Sequence, residues 1–142
     1  MSQLSGRFFY DADHDISPAM QQALDTHQPF TEAMRNEYFP RVACNIAALQ
    51  KKYTSLVVAQ GTYKQRHRDF LQAAVTDIDM ICVVCEKEMM QAQLQQRARG
   101  ISSASAAALL ADFESPHAGE KVLHNRGDDA DIVRQLNLWY AC

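Results

Sequence analysis

Two cysteines, Cys82 and Cys85, have the CxxC spacing found in thiol-redox pairs and zinc sites. A redox pair needs its first thiol at a helix N-terminus, where the helix dipole stabilises the thiolate. The apolar residues around this pair instead predict a position in the middle of a helix. The sequence also has no second CxxC and no HxxxH to complete a zinc site. We therefore expect buried structural cysteines, with a redox or metal-binding role as the alternative.

The second chemical feature is the interval 38–68, which contains six basic residues and no acidic residue. The flanking segments are acidic, with six acids against two bases in residues 1–37 and eleven against six in residues 69–142. We predict that the six cations bind a protein partner with an acidic surface, because the acidic flanks would repel a long nucleic acid. They are Arg41, Lys51, Lys52, Lys64, Arg66 and Arg68. A solvated helix start, with Lys64 and Arg68 paired with acids elsewhere, is the alternative.

Three aspartates, Asp11, Asp13 and Asp15, alternate like the first ligands of a calcium-binding loop. The position that requires a turn glycine is Ile16, and the position of the closing glutamate is Gln22. The pattern therefore predicts a solvated acidic linker, and no metal site.

The sequence lacks the common catalytic motifs. It has five histidines, but no GxSxG, no HExxH and no glycine-rich phosphate loop. We therefore predict that the protein is not an enzyme and has no cofactor.

Apolar residues recur every three or four positions over two long stretches, which predicts helices at about 41–60 and 62–98. The stripes are Val42, Ile46, Leu49, Tyr53 and Leu56, then Leu71, Val75, Ile78, Cys82, Cys85 and Met89. The predicted fold is all-α, a bundle of four or five helices built on this long antiparallel pair. The alternative is one long helix across Gly61 that forms an intermolecular coiled coil.

Local signals place the other helices. Ser17 and Pro18 predict a helix start at about residue 18, and Thr31 begins a stretch that Pro40 should kink or end. Ser102 or Ser103 should cap another helix, and the last should begin among Asp128, Asp129 and Asp131. The predicted domains are an aromatic and acidic arm, 1–16, and one helical domain, 17–142. Possible interface aromatics are Phe8, Phe9, Tyr10, Trp139 and Tyr140.

Composition indicates a globular protein, with 47% hydrophobic and 22% charged residues and a net charge of −3. Four cysteines, no signal peptide and no apolar run long enough to span a bilayer predict a cytoplasmic protein. The predicted function is a small helical protein-binding module, such as an adaptor, chaperone or regulatory subunit, and possibly a homodimer. A nucleic-acid-associated regulator that uses residues 38–68 is the second hypothesis.

Overall fold

The computed structural model describes residues 7–96 and 103–141. Its strands are β1 (Phe8–Asp11), β2 (Leu56–Ala59), β3 (Ile81–Cys85) and β4 (Lys121–Asn125). Its α-helices are α1 (Pro18–Asp25), α2 (Glu32–Gln50), α3 (Gln65–Ala74), α4 (Lys87–Gln96), α5 (Ser103–Ala111) and α6 (Asp129–Tyr140). A 3₁₀ helix, Ala12–Asp15, follows β1. Within the described ranges, no helix is both long enough and apolar enough to cross a membrane.

The strands form two parallel pairs. β1 pairs with β2, with Phe8 opposite Leu56, and β3 pairs with β4, with Ile81 opposite Lys121. Parallel strands need long crossover connections, and here α1 and α2 join β1 to β2 while α4 and α5 join β3 to β4. The architecture is therefore mixed α/β.

The predicted all-α bundle is wrong, and so is its coiled-coil alternative. The stripe from Leu71 to Met89 crosses α3, β3 and α4, so its helical spacing is a coincidence of three separate elements. The first stripe stops at Gln50, where α2 ends, and Leu56 begins β2. Short apolar runs such as Leu56–Ala59 and Ile81–Cys85 cannot be assigned to helix or strand from their periodicity. Their β-branched valines were the available signal for strands.

The ends of several helices agree with the sequence prediction. The Ser17 hydroxyl accepts a hydrogen bond from the Met20 backbone N–H at 3.2 Å and caps α1. The Asp128 carboxylate accepts one from the Ala130 N–H at 2.9 Å and caps α6. Short polar side chains at these positions satisfy backbone donors that the helix leaves free. Ser103 begins α5, whereas Ser102 lies outside the described residues.

Helix α2 continues through Pro40, where the sequence predicted a kink or an end. Proline removes the hydrogen bond to the carbonyl four residues earlier, which belongs to Asn36. Both Pro40 and Asn36 are exposed, so water can solvate that carbonyl. The buried side of the same helix is uninterrupted, and burial of that side stabilises it.

The core lies between α2, α3 and the β1–β2 sheet. Its fully buried residues on the two helices recur at helical spacing, and one face of β2 packs against them. They are Tyr38, Phe39, Val42, Ala43 and Ile46 on α2, with Leu71 on α3 and Val75 just after it. β1 belongs to this packed layer through its pairing with β2; the division of the chain at residue 16 stays a prediction.

Candidate functional site

A cavity of about 500 Å³ opens beyond the carboxyl ends of β1 and β2. Asp13 follows β1, and Gln60 and Gly61 follow β2. Ligands of parallel α/β proteins bind at this edge of a sheet, because the loops there carry side chains on a rigid support. Helix α2 contributes Arg35 and Tyr38 to the cavity wall. This cavity is the candidate site.

Tyr38 fixes the geometry of the cavity. Its hydroxyl donates a hydrogen bond to the Ala12 carbonyl oxygen at 2.6 Å and lies 2.9 Å from Oε1 of Gln60. Burial, together with the nearby carboxylate of Asp13, raises the pKa of the Tyr38 hydroxyl. The side chain is therefore a neutral hydrogen-bonding group that joins α2 to the ends of β1 and β2.

Asp13 is the cavity carboxylate that is best suited to accept a proton. It remains accessible to solvent in the cavity, yet desolvation and the Asp11 carboxylate raise the pKa of its carboxyl group. A raised pKa brings a carboxylate closer to the range in which it exchanges protons at neutral pH. Asp13 could therefore accept a proton from a bound hydroxyl group.

The three aspartates do not form a solvated linker. Asp15 accepts hydrogen bonds from the Tyr10 hydroxyl and, at 2.9 Å, from Nδ2 of Asn45. Burial and the Asp15 hydrogen bond raise the pKa of Tyr10 to about 12. Asp15 thus anchors the 3₁₀ helix to α2, which leaves Asp13 facing the cavity.

Arg35 places a buried positive charge in the cavity wall, with only 5% of its surface exposed. Its guanidinium lies 2.5 Å from a carboxylate oxygen of Asp112 and 3.4 Å from one of Glu32. Lys64 Nζ lies 3.6 Å from the other Asp112 oxygen. The Arg35 hydrogen bond lowers the pKa of Asp112, so the cluster remains charged at neutral pH.

His67 lies at the rear of the same cavity and is 6% exposed. Its ring stacks on Phe39 with centroids 4.3 Å apart. Its Nε2 is buried and has no hydrogen-bond partner among the described residues. Burial, followed by the charges of Arg66 and Arg35, lowers the pKa of His67 to about 4, so the ring is neutral at pH 7.

We expect His67 to make the protein acid-sensitive. The pKa of His67 is about 6.5 in the unfolded state and about 4 in the folded state. The difference stabilises the folded state fully above pH 6.5, and this contribution falls as the pH decreases towards 4. Between pH 7 and 4.5 the wild type should lose about 2 to 3 kcal/mol more unfolding free energy than His67→Phe. Urea denaturation at both pH values measures this. Equal losses would contradict it, and His124→Phe, at an exposed site, should behave like the wild type.

The six predicted partner-binding cations have different environments. Lys51 and Lys52 are exposed beyond α2, and Arg41 pairs with Glu37 at 3.1 Å. Lys64 pairs with Asp112, as the alternative interpretation of a helix start expected, and Arg66 pairs with Glu32. Arg68, which either interpretation would have bind a partner or pair with an acid, is 5% exposed and donates to backbone carbonyls and to the Gln65 side chain. Acids from outside the interval 38–68 therefore neutralise several of these cations; partner binding stays a prediction.

Cys82 and Cys85 lie on strand β3, not within a helix. Cys85 is exposed, which differs from the predicted buried position, and Cys82 is half-buried. Burial raises the pKa of the Cys82 thiol, which opposes thiolate formation.

The predicted interface aromatics are distributed over two regions. Phe8 stacks on Tyr53 with ring centroids 3.9 Å apart, and Phe9 is 44% exposed. Tyr140 bonds to the Asp79 carboxylate, and the Lys121 ammonium lies 4.7 Å from the centroid of its ring. Tyr10 bonds to Asp15, and Trp139 is half-buried. Their role at an interface stays a prediction.

Sequence reasoning missed most of the cavity. Asp13 was weighed only as a calcium ligand, and Arg35, Tyr38 and Gln60 were not singled out. The available signal was the position of Asp13 and Gln60, each just after a short apolar run. Parallel pairing of those runs brings the two residues together.

Comparison with solved structures identifies the fold. The chain matches a sugar kinase from Janibacter sp. HTCC2649, solved without ligand, with a TM-score of 0.81 and 18% identity over 97% of this chain and 82% of that one. It also matches a gluconokinase from Sinorhizobium meliloti 1021, with a TM-score of 0.76 and 16% identity over 94% of this chain and 77% of that one. The fold is that of two sugar-kinase structures. Neither a family model nor a curated protein matches the chain.

These matches correct the predicted function. The expectation of a non-enzymatic adaptor, chaperone or regulatory subunit rested on an all-α bundle. The structure is instead an α/β fold shared with two kinases. The coiled-coil surfaces on which helix-to-helix recognition depended do not exist, because β2 and β3 interrupt them. The same matches count against both alternatives. The helical thiol protein required a helix at Cys82 and Cys85, which lie on β3, and the nucleic-acid regulator rested on the acid-free interval 38–68.

Proposed function

We propose that the cavity binds a sugar or a sugar acid and that the protein supplies the acceptor-binding part of a kinase-type site. The observation that carries this is Asp13, a carboxylate of raised pKa that lies just beyond a parallel strand, in a cavity of about 500 Å³. Its position and pKa suit a group that accepts the proton of a substrate hydroxyl. The names of both structural neighbours point to the same ligand class.

The other cavity residues suit a polyhydroxylated molecule. Sugar hydroxyls both donate and accept hydrogen bonds, so their site needs both kinds of group. Gln60 can donate and accept, and Tyr63, whose pKa is raised by burial, remains a neutral hydroxyl. Arg35 adds a positive charge that attracts a carboxylate. The ion pairs of Arg35 with Asp112 and Glu32 compensate the free-energy cost of burying its charge.

A kinase also needs a site for the phosphate donor, and the starts of α3 and α6 do not fit one. The sequence contains no GxxxxGK[ST] loop. At the N-terminus of α3, the Glu114 carboxylate accepts a hydrogen bond from the Gln65 backbone N–H at 2.6 Å. Asp128 and Asp129 occupy the start of α6. Carboxylates at these helix ends repel phosphate, so we assign only acceptor binding to this chain.

Isothermal titration with D-gluconate, D-glucose and D-sorbitol tests the proposal. We expect saturable binding of at least one of them with one site per chain. Asp13→Asn should weaken that binding by about tenfold or more, because a hydrogen bond to a charged acceptor is lost. Glu37→Gln is the matched control, since Glu37 is an exposed carboxylate on α2 outside the cavity. Failure of all three ligands to bind, or equal affinity in Asp13→Asn and the wild type, would contradict the proposal.

A further inference from the structure

Strands β2 and β3 each have one edge that no described strand occupies. β2 is hydrogen-bonded to β1 and β3 to β4, and the two sheets are not hydrogen-bonded to each other. A parallel sheet of only two strands is unusual, because parallel strands are normally buried inside larger sheets. Both strands have the uninterrupted apolar sequence of such central strands, Leu56–Ala59 and Ile81–Cys85.

The two sheets lie beside each other in one molecule. Helix α3 joins β2 to β3, and ten helical residues extend about 15 Å, close to the length of a strand. Before the two strands, Nε2 of Gln50 donates a hydrogen bond to the Thr76 carbonyl at 2.8 Å, so their starts are close. Ile78 packs on the same core cluster as Leu56 and Val58. A strand–helix–strand connection of this kind normally joins parallel strands of one layer, so we infer that β2 and β3 run in the same direction.

Apolar surface is exposed on the sheet that β3 and β4 form. Val83 on β3 is 57% exposed, although Leu123, its partner in the β3–β4 register, is only 2% exposed. Paired residues of a parallel ladder lie on the same face, so this face is covered at β4 and open at β3. Helix α6 packs on β4, but none of its residues is buried, and Leu138 is 80% exposed.

Each structural neighbour is larger than the part that it shares with this chain. Nearly all of this chain has a counterpart in each kinase, yet about a fifth of each kinase has no counterpart here. We propose that β2 and β3 take up an additional parallel β-strand between them, supplied by a segment outside these 142 residues and followed by a helix. The strand would pair with both open edges, and the helix would cover Val83. This inference does not rest on the proposed function.

Residue-resolved amide hydrogen exchange tests this insertion. In a parallel ladder, alternate residues bond to opposite neighbours, so only alternate amides of β2 and β3 should be protected in the free chain. The probes are synthetic peptides that together span the part of the Sinorhizobium meliloti gluconokinase without a counterpart here. On their addition, the unprotected amides of both strands should slow by tenfold or more. Protection of neither strand, or of one strand alone, would overturn the proposal.

Two controls make the result specific. Val83→Asp places a charge on the face to be covered and should weaken peptide binding by at least tenfold. Phe70→Asp, at a similarly apolar exposed site on α3, should leave binding unchanged. Light scattering on the free chain completes the test. A dimer whose β2 and β3 amides are all protected before the peptide is added would show that a second copy fills the gap, and would also overturn the proposal.

Discussion

Arg68→Met is expected to lower the free energy of unfolding by about 3 kcal/mol or more. The buried guanidinium donates hydrogen bonds to the carbonyl oxygens of Thr62 at 3.0 Å and Glu114 at 2.9 Å. It also bonds to the Gln65 side chain at 2.5 Å. Removal of the guanidinium leaves several partly buried acceptors without a donor. Each such acceptor costs about 1 to 3 kcal/mol unless water replaces the donor.

Urea denaturation of Arg68→Met and Arg66→Met measures this effect. Arg66 is on the same helix but 54% exposed, so its loss should cost less than about 1 kcal/mol. Arg68→Lys should recover only part of the stability, because an ammonium cannot reproduce the planar set of donors. Similar losses in Arg68→Met and Arg66→Met would show that the Arg68 network contributes little.

Arg35→Met is expected to cost about 3 kcal/mol, because it leaves the Asp112 carboxylate with only the more distant Lys64. Asp112→Asn should cost about 1 kcal/mol, since Arg35 keeps its contact with Glu32. The double variant should lose less than the sum of the two single losses, by about 1 to 2 kcal/mol. Arg35 lies on α2 and Asp112 directly after α5, so this coupling measures how firmly the two halves of the molecule are joined.

The exposed pair Arg41 and Glu37 provides the comparison. It is an i, i+4 pair at 3.1 Å on α2, and its side chains are 40% and 73% exposed. A cycle of Arg41→Met and Glu37→Gln should give a coupling energy below about 0.5 kcal/mol. If the losses at Arg35 and Asp112 add without coupling, the short contact between them does not stabilise the fold.

Local features could be predicted from the sequence, whereas long-range pairing could not. Ser17 and Asp128 identified the starts of α1 and α6, because capping depends on residues within one helical turn. The strands were missed because Val57 and Val84 lie in runs of four or five apolar residues, too short to distinguish from a helix. Their partners are forty or more positions away in the chain, beyond any local pattern.

The candidate site could not be predicted from the sequence for the same reason. Asp13, Arg35, Gln60 and His67 have no fixed spacing in sequence, and only the pairing of β1 with β2 brings them to one cavity. The charge pattern was correctly observed but incompletely interpreted. The interval 38–68 contains no acidic residue that could pair with its cations. Asp112 and Glu114, which follow α5, nevertheless form ion pairs with Lys64. Such pairs could be assigned only once the fold was known.

The parallel pairing also determines how the chain must fold. Every ladder contact in the described sheets closes a long loop, from Phe8 to Leu56 and from Ile81 to Lys121. The entropy of loop closure must be lost before those contacts contribute stability. The helical bundle first predicted would have had a low relative contact order and the microsecond-to-millisecond folding typical of local contacts. We therefore expect the search that brings distant strands together to limit the folding rate of this protein, and their apolar edges to be open to aggregation during that search.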